Sequence, residues 1–321
     1  MSKQMSLAEA LLHPKLGTNS KLDGMDGQVD WVPIGRLAEK VRAPAATGRK
    51  PYVALPMLKV AYLQAAYNLG DKEMEEALAD RLSFRRFCGF SLEEATPDET
   101  TIWRFREAAM AAGVLEAAFA EINRQLEAKG LMLKKGTLLD ATLIAARHNR
   151  PKTDGVSDLG ARHRKEPEAD WTRKGGKAFF GYKVHVGVDA GSGLVRSQDY
   201  TSAKVSESEA ADGLIVGDEA AIYADKAYEK KERRVRLKAA GIKDRIMHRR
   251  HKHIAHLPRW QQKRNRLIAR RRAPVEAVFS ALKRLYGLGR ARYVSLARNA
   301  ARTMAVLTVY NLRRAALLAG P

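Results

Sequence analysis

Cysteine is nearly absent from this chain: Cys88 is the only one in 321 residues. An intramolecular disulfide is impossible and a thiolate metal cluster is excluded, which fits a reducing cytoplasm. Long apolar runs are missing too. The opening stretch MSKQMSLAEALLHPKL contains none, so no signal peptide is expected there. The most apolar late segment, residues 303–318, is interrupted by Asn311, Arg313 and Arg314 and is too short and too charged to span a bilayer. No internal repeat is present. Acids are scarce in one region: residues 226–272 hold 19 Lys or Arg against Glu229, Glu232 and Asp244.

Positive charge is what the chain has in excess. The net charge is +22 and the isoelectric point is near 10.1, while an apolar content of 45% marks a globular protein. Residues 1–130 carry 17 basic and 18 acidic side chains, so 41 basic and 18 acidic ones fall in residues 131–321. The whole excess lies in the second part, which points to a polyanion-binding domain there rather than a merely solvated surface; nucleic acid is the first partner to consider. The histidine cluster HRRHKHIAH lies in the same region, but without a cysteine partner it favours phosphate contact over zinc.

Three segments follow from pattern. Residues 1–49 are a mixed N-terminal extension, with a short helix expected in VPIGRLAEKV. Residues 50–130 read as all helical: apolar positions recur at threes and fours in 54–79, broken at NLGD, with Asp71 as the second helix's cap. Thr96-Pro-Asp-Glu99 has the form of a capping box, with Ile102, Phe105 and Trp103 inward, and another helix ends at Gly130. Residues 131–321 change character. A buried strand is expected at 137–145, a hairpin around DAGSG, a helix behind the capping box Ser206-x-x-Glu209, a strand ending at Asp225, a basic helix stopped by Gly241, a further strand in KDRIMHR, and helices near 258–271, 274–286 and 296–316. That order describes a mixed sheet with helices on its faces, an α/β fold of ribonuclease H-like arrangement. Residues 147–177, polar and rich in Gly, Pro and charge, are expected to form a long basic insertion loop.

Three carboxylates carry the chemistry. Asp140 lies in the apolar strand TLLDATLI, where an unpaired carboxylate costs several kcal/mol. Asp225 closes a strand and Glu276 opens a helix. Singly, each has an ordinary structural explanation: an ion pair, a helix cap, a dipole partner. Together they would converge outside strand ends, where ligands gather in open α/β sheets, and three oxygen donors suit Mg²⁺. Two such ions, with Mn²⁺ as a substitute, would activate an attacking water or 3′-hydroxyl and stabilise the leaving oxygen of a phosphodiester.

The residues also resemble a family. LPMLKVAYLQAAYNLGDKEMEEALADRLSFRRFCGFSLEEATPDETTIWRFR is similar to the helical N-terminal domain of IS5-family insertion-sequence transposases. The block DWTRKGGKAFFGYKVHVGVDAGSGLV, with Phe180, Gly181, Lys183 and His185, resembles their central signature; ADKAY and RAPVEAVFSALKRLYG resemble the second and third catalytic blocks. The resemblance spans roughly residues 50–316. It implies a DDE transposase in which Asp140, Asp225 and Glu276 form a metal-binding triad. It also implies a Tyr-x2-Arg-x3-Glu-x6-Lys signature, which Arg272, Glu276 and Lys283 fit while Ala269 stands where tyrosine is expected. Arg272, Lys283, Lys226, Lys183, His185, Tyr228, Lys177, Arg147 and Arg104 are the DNA-contact candidates. Lys183 and His185 share one strand face that is expected to look toward Asp140; Asp189, in the DAGSG turn, reads as structural.

The expected activity is binding of terminal inverted repeats, metal-dependent strand cleavage and joining of 3′-hydroxyls to target DNA. The helical N-domain would serve end recognition and assembly. Pairing two ends calls for a homodimer or higher homo-oligomer; no membrane partner is expected, and the location implied is the bacterial cytoplasm, at the nucleoid. The alternatives are a nuclease of the same fold that does not join strands and a non-catalytic DNA-binding protein derived from a transposase.

Overall fold

The computed structural model describes residues 16–41, 51–149, 165–250 and 256–320. The chain forms two compact units, Met1–Ala128 with Met304–Pro321, and Lys129–Thr303.

The first unit is helical: α1 (Ser20–Asp26), α2 (Trp31–Ala38), α3 (Ala54–Tyr67), α4 (Asp71–Asp80), α5 (Leu82–Cys88), α6 (Glu99–Ala111) and α7 (Val114–Ala128). Helix α3 is buried on most sides, with Leu58, Tyr62 and Leu63 fully enclosed. It ends at Asn68, whose left-handed backbone breaks the helix at the expected place. Two caps differ from expectation. Gly70, not Asp71, caps α4, because the Asp71 carboxylate is taken by the Arg106 guanidinium and the Gln64 amide. Asp98, not Thr96, caps α6 by accepting the Thr101 amide at 2.6 Å, which leaves Pro97 outside the helix. With that start Ile102 turns inward and Trp103 outward. Residues 304–321 belong to this unit rather than to the sheet with which the sequence groups them. Val306, Leu307 and Leu312 are fully buried, and the buried Asn311 donates to Asn123 at 2.8 Å.

The second unit contains β1 (Thr137–Ala145), β2 (Asp170–Lys174), β3 (Lys177–Asp189), β4 (Val195–Ser202), α8 (Glu207–Leu214), β5 (Ala221–Ala224), α9 (Lys231–Ala239), β6 (Lys243–Ile246), α10 (Arg259–Arg272), α11 (Pro274–Tyr286) and the start of α12 (Leu296–Ala319). The six strands run in the order β2-β3-β1-β5-β6, with β4 also on β3. Strands β1, β3 and β4 pair antiparallel, and β1, β5 and β6 parallel. This is the expected ribonuclease H-like mixed sheet. The first strand matches residues 137–145, and Ser206 and Glu209 form their capping box.

One element was not expected. Strand β2 lies inside the stretch read as the loop 147–177, of which residues 150–164 fall outside those described. Gly175 and Gly176 both take positive φ and make the two-residue turn that a tight hairpin requires, so WTRK folds back on KAFF. Gly181 serves a different need: a Cβ there would lie 2.2 Å from the Ile144 carbonyl oxygen, so only glycine lets β3 cross the end of β1 this closely. The buried Glu166 fixes the return of the segment by accepting the Arg147 and His148 amides and the Tyr182 hydroxyl. Asp189 is structural as expected, accepting from the Leu133, Lys134 and Ser192 amides.

Candidate active site

A gap in strand pairing positions the site. The outer edge of β1 pairs with β5 at Thr137–Leu138 and with the Gly289–Ala291 segment at Ala145. No described strand covers the edge between these points. Asp140 lies on β1 within this uncovered stretch, and its Oδ1 accepts the Ala141 amide at 2.9 Å. Because β5 stops at Ala224, Asp225 follows at its carboxyl end beside the same opening and accepts the Ala227 amide at 2.7 Å. A cavity of about 150 Å³ lies here, lined among others by Asp140, Asp225, Glu207, Lys174, Lys183 and Tyr228.

The two faces of the sheet supply different walls. Asp140 is opposite Val186 in the β1–β3 register, whereas Lys183 is opposite Leu143 and His185 opposite Ala141. Opposed residues share a face. Lys183 and His185 therefore point away from Asp140, contrary to the expectation that their face looks toward it. Helix α8 packs on their side, and α10 and α11 pack on β5 and β1. Lys183 is buried, donates to the Val205 carbonyl at 2.8 Å and pairs with Glu207 at 3.2 Å. His185 is fully buried against the Thr201 hydroxyl at 2.9 Å, and burial pushes its pKa down to about 4. Both side chains are held by the fold, although Lys183 also lines the cavity.

On the other side Arg272, at the end of α10, reaches Asp140 at 2.9 Å; the two side chains are 15% and 21% exposed. Burial raises the Asp140 pKa, Arg272 and the Ala141 amide oppose the rise, and the Asp225 charge adds to it. Ala273 is helical and Pro274 opens α11, so Glu276 falls in the first turn of α11, four residues after Arg272. Its side chain is exposed, and among the described residues no three His, Cys, Asp or Glu side chains converge as a metal site. Asp140 and Asp225 are brought together; Glu276 is not brought into a three-ligand group with them. As hard oxygen donors beside a shared cavity, the two aspartates fit a divalent cation, with Arg272 standing where positive charge is needed.

The remaining candidates divide by exposure. Lys226 is exposed beside Asp225, Lys177 is exposed at the β2–β3 turn, and Arg147 is exposed after β1. Arg104 is exposed in the helical unit. Lys283 is half-buried, and burial together with the nearby Lys174 charge lowers its pKa. Tyr228 is fully buried. Sequence reasoning missed Lys174 and Glu207 as cavity residues. The Gly-Gly turn after Lys174 was the available signal for the first; Glu207 gave none, because it enters through the packing of α8.

Comparison with known proteins decides the class. A family model described as the transposase DDE domain matches residues 132–312. The chain belongs to the DDE transposase domain family. A second model, transposase domain DUF772, matches residues 11–108 of this DDE transposase. No solved structure matches the chain. The DDE-domain match contains Asp140, Asp225 and Glu276, and the sheet around the first two is the scaffold described above. No described helix is long and apolar enough to cross a membrane.

Proposed function

We propose that this DDE transposase is of the IS5 type, binds the terminal inverted repeats of its own element, hydrolyses a strand at each end and joins the freed 3′-hydroxyls to target DNA. The observation that carries the reading is the placement of Asp140 and Asp225 at an open strand edge, in a cavity also lined by Arg173, Lys174 and Lys183, with Arg272 paired to Asp140. Asp140 and Asp225 would hold the divalent cation, Mg²⁺ or Mn²⁺, and Glu276 would complete the ligand set from the first turn of α11. Such a cation lowers the pKa of a bound water or hydroxyl and offsets charge on the leaving oxygen. Arg272, 2.9 Å from Asp140, opposes the rise in its pKa that burial causes. Lys226, Lys177, Arg147 and Lys283 would hold the DNA backbone around the site, and Arg104 would contact DNA from the helical unit. Action on two ends requires at least a homodimer.

The test is incubation of purified protein with DNA carrying the element's ends and a target plasmid, in Mg²⁺ and in Mn²⁺. Nicking at the ends followed by joined products is expected. Nicking with no joined product would leave a nuclease, and neither product would leave a DNA-binding protein. Glu276→Gln in the same assay separates a ligand, which should lose both steps, from an exposed helix residue, which should keep them.

A further inference from the structure

Tyr228 is the cavity residue whose chemistry the fold leaves unfinished. It closes the short 3₁₀ turn Lys226–Tyr228 behind Asp225. Its side chain is fully buried in the cluster of Leu139, Ala211, Leu214 and Ile222, yet it also lines the cavity with Asp140, Glu207 and Asp225. Its hydroxyl has no hydrogen-bond partner, although its main chain is anchored through the carbonyl, which accepts from Arg233 at 2.5 Å. A phenylalanine would fill the same apolar space without the cost of about 1–3 kcal/mol for a buried unpaired hydroxyl. Among the described residues the fold offers that hydroxyl no acceptor.

The surroundings fix what that atom can do. Burial, then the charges of Asp140, Glu207 and Asp225, push the phenol pKa well above its usual value. A phenol holds its proton at neutral pH, so the hydroxyl can donate. Arg173 and Lys174 also line the cavity, so an anionic group can enter beside the carboxylates.

We infer that the Tyr228 hydroxyl donates a hydrogen bond to a non-bridging oxygen of the scissile phosphodiester, and so stabilises the charge that gathers there as the phosphorus is attacked. This rests on the transposase reading above. A donor held by the fold reorganises little during reaction, which is why loss of one such donor typically slows a reaction about 100-fold or more.

The experiment compares wild type with Tyr228→Phe in Mg²⁺ on end-bearing DNA, following cleavage rate, end affinity and Tm. The expected result is a loss of about 100-fold in rate, with affinity preserved and Tm unchanged or raised. A second arm uses DNA with a stereopure phosphorothioate at the scissile position. The penalty of Tyr228→Phe should shrink strongly for one diastereomer, whose sulfur replaces the contacted oxygen, and persist for the other. An unchanged rate, a penalty equal for both diastereomers, or a Tm lowered by several degrees would each overturn the inference. Inactive wild-type protein would instead refute the transposase reading itself.

Discussion

The two faces of the sheet around β1 carry similar side chains in opposite conditions. On the α8 side, Lys183 has a carbonyl and a carboxylate, and His185 has a hydroxyl on Nε2 while its buried Nδ1 has no partner among the described residues. On the α10 side, Asp140 holds Arg272, whose Nε is itself buried without a partner. The lysine–glutamate pair is closed by the fold, whereas the guanidinium beside Asp140 keeps bonding capacity in reserve. A charged residue in a catalytic motif is thus not a catalytic residue by virtue of its position in the motif. What separates the two is how much of its bonding capacity the folded chain has already used.

The sharpest way to break this comparison is to neutralise each side in turn. Asp140→Asn or Asp225→Asn should abolish strand cleavage, by about 10³-fold or more, equivalent to ~4 kcal/mol of barrier, while circular dichroism and end binding persist. If either variant cleaves at the wild-type rate, the open side is not the reactive one. Lys183→Met should do the reverse. It leaves Glu207 and the Val205 carbonyl without their cation, so a loss of about 3 kcal/mol in unfolding free energy is expected, with end affinity unchanged below the melting transition. A drop in affinity with no loss of stability would restore Lys183 as a DNA contact.

A smaller effect concerns pH. The buried His185 binds its proton near pH 4 when folded and near 6.5 when unfolded. Between those values the unfolded chain holds more protons, so stability must fall as pH drops from 6.5 toward 4, by up to about 3 kcal/mol from this residue. Denaturant titrations of wild type and His185→Gln at pH 7 and 4.5 should show a shallower acid loss in the variant; parallel losses would refute the assignment. The smallest effect is expected at the exposed cations. Lys226→Ala or Lys177→Ala should leave Tm unchanged, weaken DNA binding several-fold and reduce the slope of log affinity against log salt by about one.

The elements were largely legible because their signals are local. The apolar run in β1, the Ser206 capping box and the Gly241 stop each lie within a few residues, and each appears where expected. The misses arise from contacts across the chain. Asp71 has the residue type of a cap but is held by Arg106, 35 residues away. The side of β1 on which Lys183 lies depends on the register with β3, and a one-residue change would reverse it. Glu207 is an ordinary first-turn glutamate until α8 packs beside β3. The site was half legible: Asp140 and Asp225 could be paired from strand order, but neither the Arg272 contact nor the exposed position of Glu276 could be read from spacing.

The division of the C-terminal helix has a consequence in time. Residues 129–303 interrupt the helical unit in the chain and return to it at Met304. On the ribosome every strand of the sheet is therefore made before Val306, Leu307 and Leu312, the side chains that finish the helical core. The helical unit starts first and is completed last, so its early helices must wait through the synthesis of the whole catalytic sheet with part of their apolar surface uncovered.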